Sequence, residues 1–265
     1  MLFGSLDEAS PILLGTLGSL MAGLASGVGA LPILAVRRIS EEAQDVLLGF
    51  AAGVMLAAAF FSLIIPGLEA AQEQGASEVG AVTLVGGGVL LGAAGLWAIH
   101  RYVPHEHFIL GREGPQSARF RRIWLFVIAI TLHNFPEGLA VGVGFGGGDI
   151  ANGVALATGI ALQNMPEGLA VAVSLLAINY TKTQAVLVAF LTGLVEPLGG
   201  LIGASTVTLA HFLLPWGLAL AAGAMLFVVS DEIIPETHRR GMKTHATTGL
   251  MVGLVVMMFL DVALG

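Results

Sequence analysis

Two strings, one a near copy of the other, hold the side chains able to do chemistry in this sequence. Thr131-Leu132-His133-Asn134-Phe135-Pro136-Glu137-Gly138-Leu139-Ala140-Val141 returns as Ala161-Leu162-Gln163-Asn164-Met165-Pro166-Glu167-Gly168-Leu169-Ala170-Val171, and the shared core is Asn-x-Pro-Glu-Gly-Leu-Ala-Val. His133 and Glu137 are four residues apart, so a helix places them on one face, and Gln163 and Glu167 repeat that spacing. An imidazole, two carboxylates and an amide oxygen suit zinc, and more broadly iron, manganese, nickel and cadmium. Calcium is a poorer match because it takes six to eight oxygens. Asn134 and Asn164 lie next to these positions and, with Glu196, could form an adjacent second site. A single buried histidine is ordinarily a hydrogen-bonded core residue, but one placed four residues from a glutamate and opposite a copied motif reads as a ligand. The chain has no cysteine, which removes thiolate ligands and disulfides from consideration.

The elements that carry these residues read as membrane spans. Of 265 residues 56% are hydrophobic and 11% charged, with mean hydropathy +0.89, whereas soluble domains carry about 25% charged residues. Eight apolar segments, each able to cross about 30 Å of hydrocarbon, fall at 11–36, 45–69, 79–103, 121–147, 150–177, 182–208, 213–237 and 246–264. The motif copies lie near the middles of the fourth and fifth. Consecutive spans run in opposite directions, so the copies form an inverted pseudo-repeat at one depth, the place where secondary transporters bind substrate between interrupted helices. Each proline removes its own amide and clashes with the carbonyl four residues back, which frees Leu132, Leu162 and, before Glu196-Pro197 in the sixth span, Gly193. A simple kink is the bland alternative for one such proline; three, each touching a mid-depth glutamate, point to a site.

Glu137, Glu167 and Glu196 each cost about 2.5 to 3.5 kcal/mol at the bilayer centre on insertion scales. The eleven basic residues are not there to pair with them: Arg37, Arg38, Arg101, Arg112, Arg119, Arg121, Arg122, Lys182, Arg239, Arg240 and Lys243 all fall in or beside the odd-numbered loops. Protons or a bound cation must offset the charge, and cation entry should release protons. The same distribution places the odd loops in the cytoplasm and both termini outside. Asp7 and Glu8 stand near the start with no basic residue, so the first apolar segment is expected to be retained and not cleaved as a signal. The longest polar stretch, at about 104–120, reads as a cytoplasmic loop, and residues 1–265 read as one all-α transmembrane domain.

These residues resemble the ZIP (Zrt/Irt-like protein) family of metal transporters, in its prokaryotic GufA-like branch. His133-Asn134-x-Pro136-Glu137-Gly138, Gln163-Asn164-x-Pro166-Glu167-Gly168 and Glu196-Pro197 look like the family signature, and the likeness extends through Ser230 to His238 and Phe259 to Gly265. The resemblance implies a main site of His133, Glu137, Gln163 and Glu167 with Met55 nearby. It implies a neighbouring site of Asn134, Asn164, Glu167 and Glu196, so that Glu137 and Glu167 could bridge two metals. It places Ser62, Asp231, Glu232 and Asp261 along the route and His105 and His107 in a metal-binding cytoplasmic loop. It further implies uptake of divalent metal toward the cytoplasm across a bacterial inner membrane, a homodimer, and spans one, four, five and six moving against two, three, seven and eight. Asn164 stands where relatives can carry aspartate, Gln163 where many carry a second histidine, and Asp231 where some carry histidine. The first change removes a charge from the second site.

The competing readings are a proton-coupled carrier of an organic cation, to which the paired His and Glu spacing is ill suited, and an intramembrane metalloprotease, which needs a His-Glu-x-x-His string the chain lacks. Neither an enzyme, a resident cofactor nor a nucleic-acid partner is expected; the expected partners are the divalent ion and the lipid bilayer.

Overall fold

The computed structural model describes residues 9–35, 40–102, 116–176, 178–235 and 243–264. Among them the structure is all-helical: α1 (Pro11–Ala30), α2 (Pro32–Ala35), α3 (Glu41–Ala57), α4 (Ile65–Glu73), α5 (Glu78–Tyr102), α6 (Gln116–Gly146), α7 (Ile150–Leu176), α8 (Lys182–Gly193), α9 (Glu196–Leu209), α10 (Leu214–Val228) and α11 (Lys243–Leu264). Seven helices among the described residues are long and apolar enough to cross a membrane. Beside them stands α6, whose 31 residues exceed the about 20 needed to span.

Local chemistry sets the helix ends. The Ser40 hydroxyl accepts from the Ala43 amide at 3.2 Å and starts α3, four residues ahead of the apolar run. Thr181 and Gln184 form a reciprocal capping box at α8. The Asp149 carboxylate accepts from the Asn152 amide at 3.0 Å at the head of α7. Two boundaries differ from the sequence expectation. The loop placed at about 104–120 is already helical from Gln116, because a polar helix continues into water at no desolvation cost; residues 103–115 lie outside the described residues. The sixth span is two helices, α8 and α9, separated by a turn at Leu194 and Val195.

Two further departures from regular helix mirror each other. Between α3 and α4 the chain widens into a π-helical stretch, Ala58–Ile64, just before Pro66. After α10 it does so again at Val229–Ile233, just before Pro235. A proline cannot donate to the carbonyl four residues back, and one wide turn is how a helix absorbs that loss.

The helices pack in two groups. In one, α1 lies along α7 and α9, α6 along α9, and α8 against α1 and α7. In the other, α11 lies along α3 and α10 along α5 and α4. The seam between them runs where α7 meets α3 and α11 and where α6 meets α10, and Val54, Met55, Leu156, Ile160, Met225 and Met257 are buried in the hydrophobic core that crosses it. At the end carrying Lys182, the Trp124 indole donates to the Tyr180 hydroxyl at 2.9 Å and the Lys182 ammonium to the Leu34 carbonyl at 3.1 Å.

Candidate metal centre

Both motif copies lie inside unbroken helices, α6 and α7, despite Pro136 and Pro166, whereas Pro197 sits in the first turn of α9 after the break. The difference is positional: a helix interior tolerates a proline when its neighbours hold it on both sides, and a helix start needs no amide there. Glycine provides the holding. A Cβ on Gly138 would run into the backbone of Glu196 in α9, and one on Gly168 into the backbone of Ser26 in α1. Each copy is thus pressed backbone to backbone against a different helix, as small residues permit. α9 is to α6 what α1 is to α7, and their packing turns the carboxylates into a shared interior.

That interior is dry and polar. His133, Asn134, Glu137, Gln163, Asn164, Glu167 and Glu196 are all buried, none exposing more than 3% of its surface, and Met55 is equally buried on α3. The Gln163 amide nitrogen donates to Glu137 Oε1 and, at 3.3 Å, to Asn164 Oδ1. The Asn164 amide nitrogen in turn donates to Glu196 Oε1 at 2.6 Å and to the Ala22 carbonyl at 2.9 Å. A single hydrogen-bonded chain therefore runs from α6 through α7 to α9 and α1. Around Glu137 the neighbouring charged groups are Glu167 and His133, and around Glu196 they are Glu137 and Glu167.

The chain of bonds satisfies only part of the donor set. Glu137 Oε2, Glu196 Oε2, Gln163 Oε1 and both amide atoms of Asn134 are buried without a hydrogen-bond partner among the described residues. Buried polar atoms are almost always paired, and leaving one unpaired costs about 1 to 3 kcal/mol. Four oxygens and one amide nitrogen orphaned around carboxylates that repel each other form an environment suited to a cation. No three His, Asp or Glu side chains among the described residues converge closely enough to chelate a metal on their own. In this conformation the amides of Gln163 and Asn164 hold the carboxylates apart and supply the neutral donors of a mixed set.

The route residues separate into three cases. Ser62, buried on the first π stretch, donates to Asp261 Oδ1 of α11 at 2.7 Å, so these two are brought together. Asp231 is exposed on the second π stretch, away from the buried cluster; Glu232 shares that stretch. His105 and His107 lie outside the described residues. Two polar residues that the sequence reading does not single out prove to be placed deliberately. Asp45 is 1% exposed near the start of α3, and Asn152 donates from its side chain to the Ser62 carbonyl at 3.2 Å. The partner of Asn152 is ninety residues away, and no local pattern in the sequence announces the bond.

A family model described as ZIP zinc transporter matches residues 105–261. A protein of Myxococcus xanthus named zinc transporter GufA is 47% identical over 251 residues, covering 95% of this chain and 99% of that one. One of Bordetella bronchiseptica named zinc transporter ZIPB is 50% identical over 259 residues, 94% of this chain and 81% of that one. The human zinc transporter ZIP11 is 33% identical over 341 residues, 98% of this chain and all of that one.

Proposed function

The chain belongs to the ZIP family of zinc transporters, and on that premise we propose that it carries zinc and related divalent transition-metal ions across a membrane through the buried His/Glu/Gln/Asn cluster. The observation that carries the reading is the set of orphaned polar atoms on Glu137, Glu196, Gln163 and Asn134, buried among helices on which Arg119, Arg121 and Arg122 of α6 and Lys182 of α8 all lie outside the motif copies. A dication satisfies carboxylate oxygens and amide oxygens at once. His133, Glu137, Gln163 and Glu167, with the Met55 thioether, form the principal ligand set in this reading; Asn134, Asn164, Glu167 and Glu196 line the adjoining position.

Because Gln163 and Asn164 each place an amide N–H on a carboxylate, cargo entry requires those amides to turn and present their oxygens, exchanging two hydrogen bonds for coordination. The positive-inside distribution, with α6 counted as an eighth span, supports one domain of eight spans with both termini outside and uptake toward the cytoplasm of a bacterial inner membrane. Ser62 and Asp261 stand on the outer side of the route, Asp231 and Glu232 on the inner side, and His105 and His107 on the cytoplasmic loop. A homodimer in the bilayer is the assembly this family reading carries. Nothing in the relatives favours an organic-cation carrier or a metalloprotease.

Proteoliposome uptake across a panel of zinc, cadmium, iron and manganese, with and without a pH gradient, tests the proposal. Saturable zinc flux that disappears in the His133→Ala, Glu167→Ala double variant is the expected result. Flux that survives both substitutions would overturn the site.

A further inference from the structure

α7 presents Asn152, Gly159 and Gln163 at spacings of seven and four, one above another on a single face. That face looks across the seam. At its far end, remote from Lys182, the Asn152 amide nitrogen donates to the Ser62 carbonyl, which joins the α7 group to the α3 group. The other inter-helix side-chain bonds named above stay inside one group: Gln163 and Asn164 with α6, α9 and α1, Trp124 with Tyr180, and the Ser62 hydroxyl with Asp261. Ser62 lies in the π stretch, where hydrogen bonds reach five residues on, as from the Ile65 amide to the Phe60 carbonyl. Ser62 is fully buried, so its carbonyl cannot turn to water instead. One helical turn inward on α11 from Asp261, Met257 is also fully buried, with its sulfur against Gly159 and Val54 alongside. Two layers therefore lie between that end of the molecule and Gln163: a polar tie, then a thioether seated on a glycine.

We propose that Asn152 is a positioning residue that holds the outer end of the transport route closed, tying α7 to the carbonyl of Ser62. The inference rests on the reading of the chain as a transporter whose two helix groups shift against each other. Opening the outer side separates α7 from the π stretch, so this bond must break, and the Ser62 carbonyl is then left to water or to the arriving ion.

The absence of cysteine makes the test direct. Met257→Cys places the only thiol of the full-length chain beneath the tie, and its labelling by a membrane-impermeant methanethiosulfonate from the outer side reports opening; Val54→Cys is a second reporter if the first folds poorly. Zinc flux of the unsubstituted chain is measured in parallel. Asn152→Ala, and Asn152→Asp, which keeps size but cannot donate, should each speed labelling about tenfold, the worth of one net hydrogen bond. Asn152→Gln, which keeps the donor, should restore slow labelling. Labelling that is equally slow with and without the Asn152 amide, in variants that elute as the parent does, overturns the tie while leaving transport untouched. Absence of zinc flux in the parent overturns the transporter reading and the tie with it.

Discussion

The two copies of Asn-x-Pro-Glu-Gly-Leu-Ala-Val differ little in sequence and a great deal in what surrounds them. Asn164 has its whole amide engaged, on Gln163, Glu196 and the Ala22 carbonyl; Asn134, at the equivalent position, has neither amide atom bonded among the described residues. Gly138 backs onto α9 and Gly168 onto α1. The difference lies in the asparagines, since Gln163 of the α7 copy also keeps an unpaired oxygen and Glu137 of the α6 copy accepts from Gln163. One asparagine of the repeat is thus part of the hydrogen-bonded interior, and the other is buried without a hydrogen bond among the described residues.

The largest effect should come from removing charge that both copies share. Glu137→Gln with Glu167→Gln should abolish zinc flux in proteoliposomes to background, and retained flux would mean that the copies do not act as one centre. Next, Gly138→Ala and Gly168→Ala should destabilise to similar degrees, at or above the top of the about 1 to 3 kcal/mol range for overpacking, because each methyl meets backbone that cannot move aside. Thermal unfolding in detergent measures this, and a benign Gly168→Ala would break the equivalence of α1 and α9.

The asparagines should then separate. Asn164→Ala leaves Glu196 Oε1 and the Ala22 carbonyl without their donor and should cost about 1 to 3 kcal/mol in unfolding measured under chelator. Asn134→Ala removes no side-chain hydrogen bond among the described residues and should cost less unfolding stability than Asn164→Ala while weakening zinc binding measured by equilibrium titration. The reverse pattern would exchange their roles. The smallest effect is expected from Gln163→His, which makes the copies alike: flux persists, and competition shifts toward zinc over manganese because an imidazole replaces an amide oxygen.

Much of this was legible before any coordinates. Hydrophobic runs mark the helices and their order, and the His133 and Gln163 spacings mark the buried cluster, because helical periodicity and the cost of charge in hydrocarbon are properties of the chain itself. The break at Leu194 and Val195 was signalled by Pro197, yet Pro136 and Pro166 sit in continuous helices. One proline cannot announce which outcome it will have, since the answer depends on whether a neighbouring backbone braces it. The Asn152 bond to Ser62 was invisible for the same reason: its partners are far apart in the chain, and only packing brings them together.

The amino-acid order alone determined that this is a helical membrane protein with acidic and imidazole side chains set at helical spacing, because insertion energetics and helical spacing act residue by residue. Which oxygen of each carboxylate is engaged, which asparagine is engaged, and which helix backs each glycine were decided only by the tertiary structure. Those outcomes depend on contacts between segments far apart in the chain, and two nearly identical strings were given different partners by the helices folded against them.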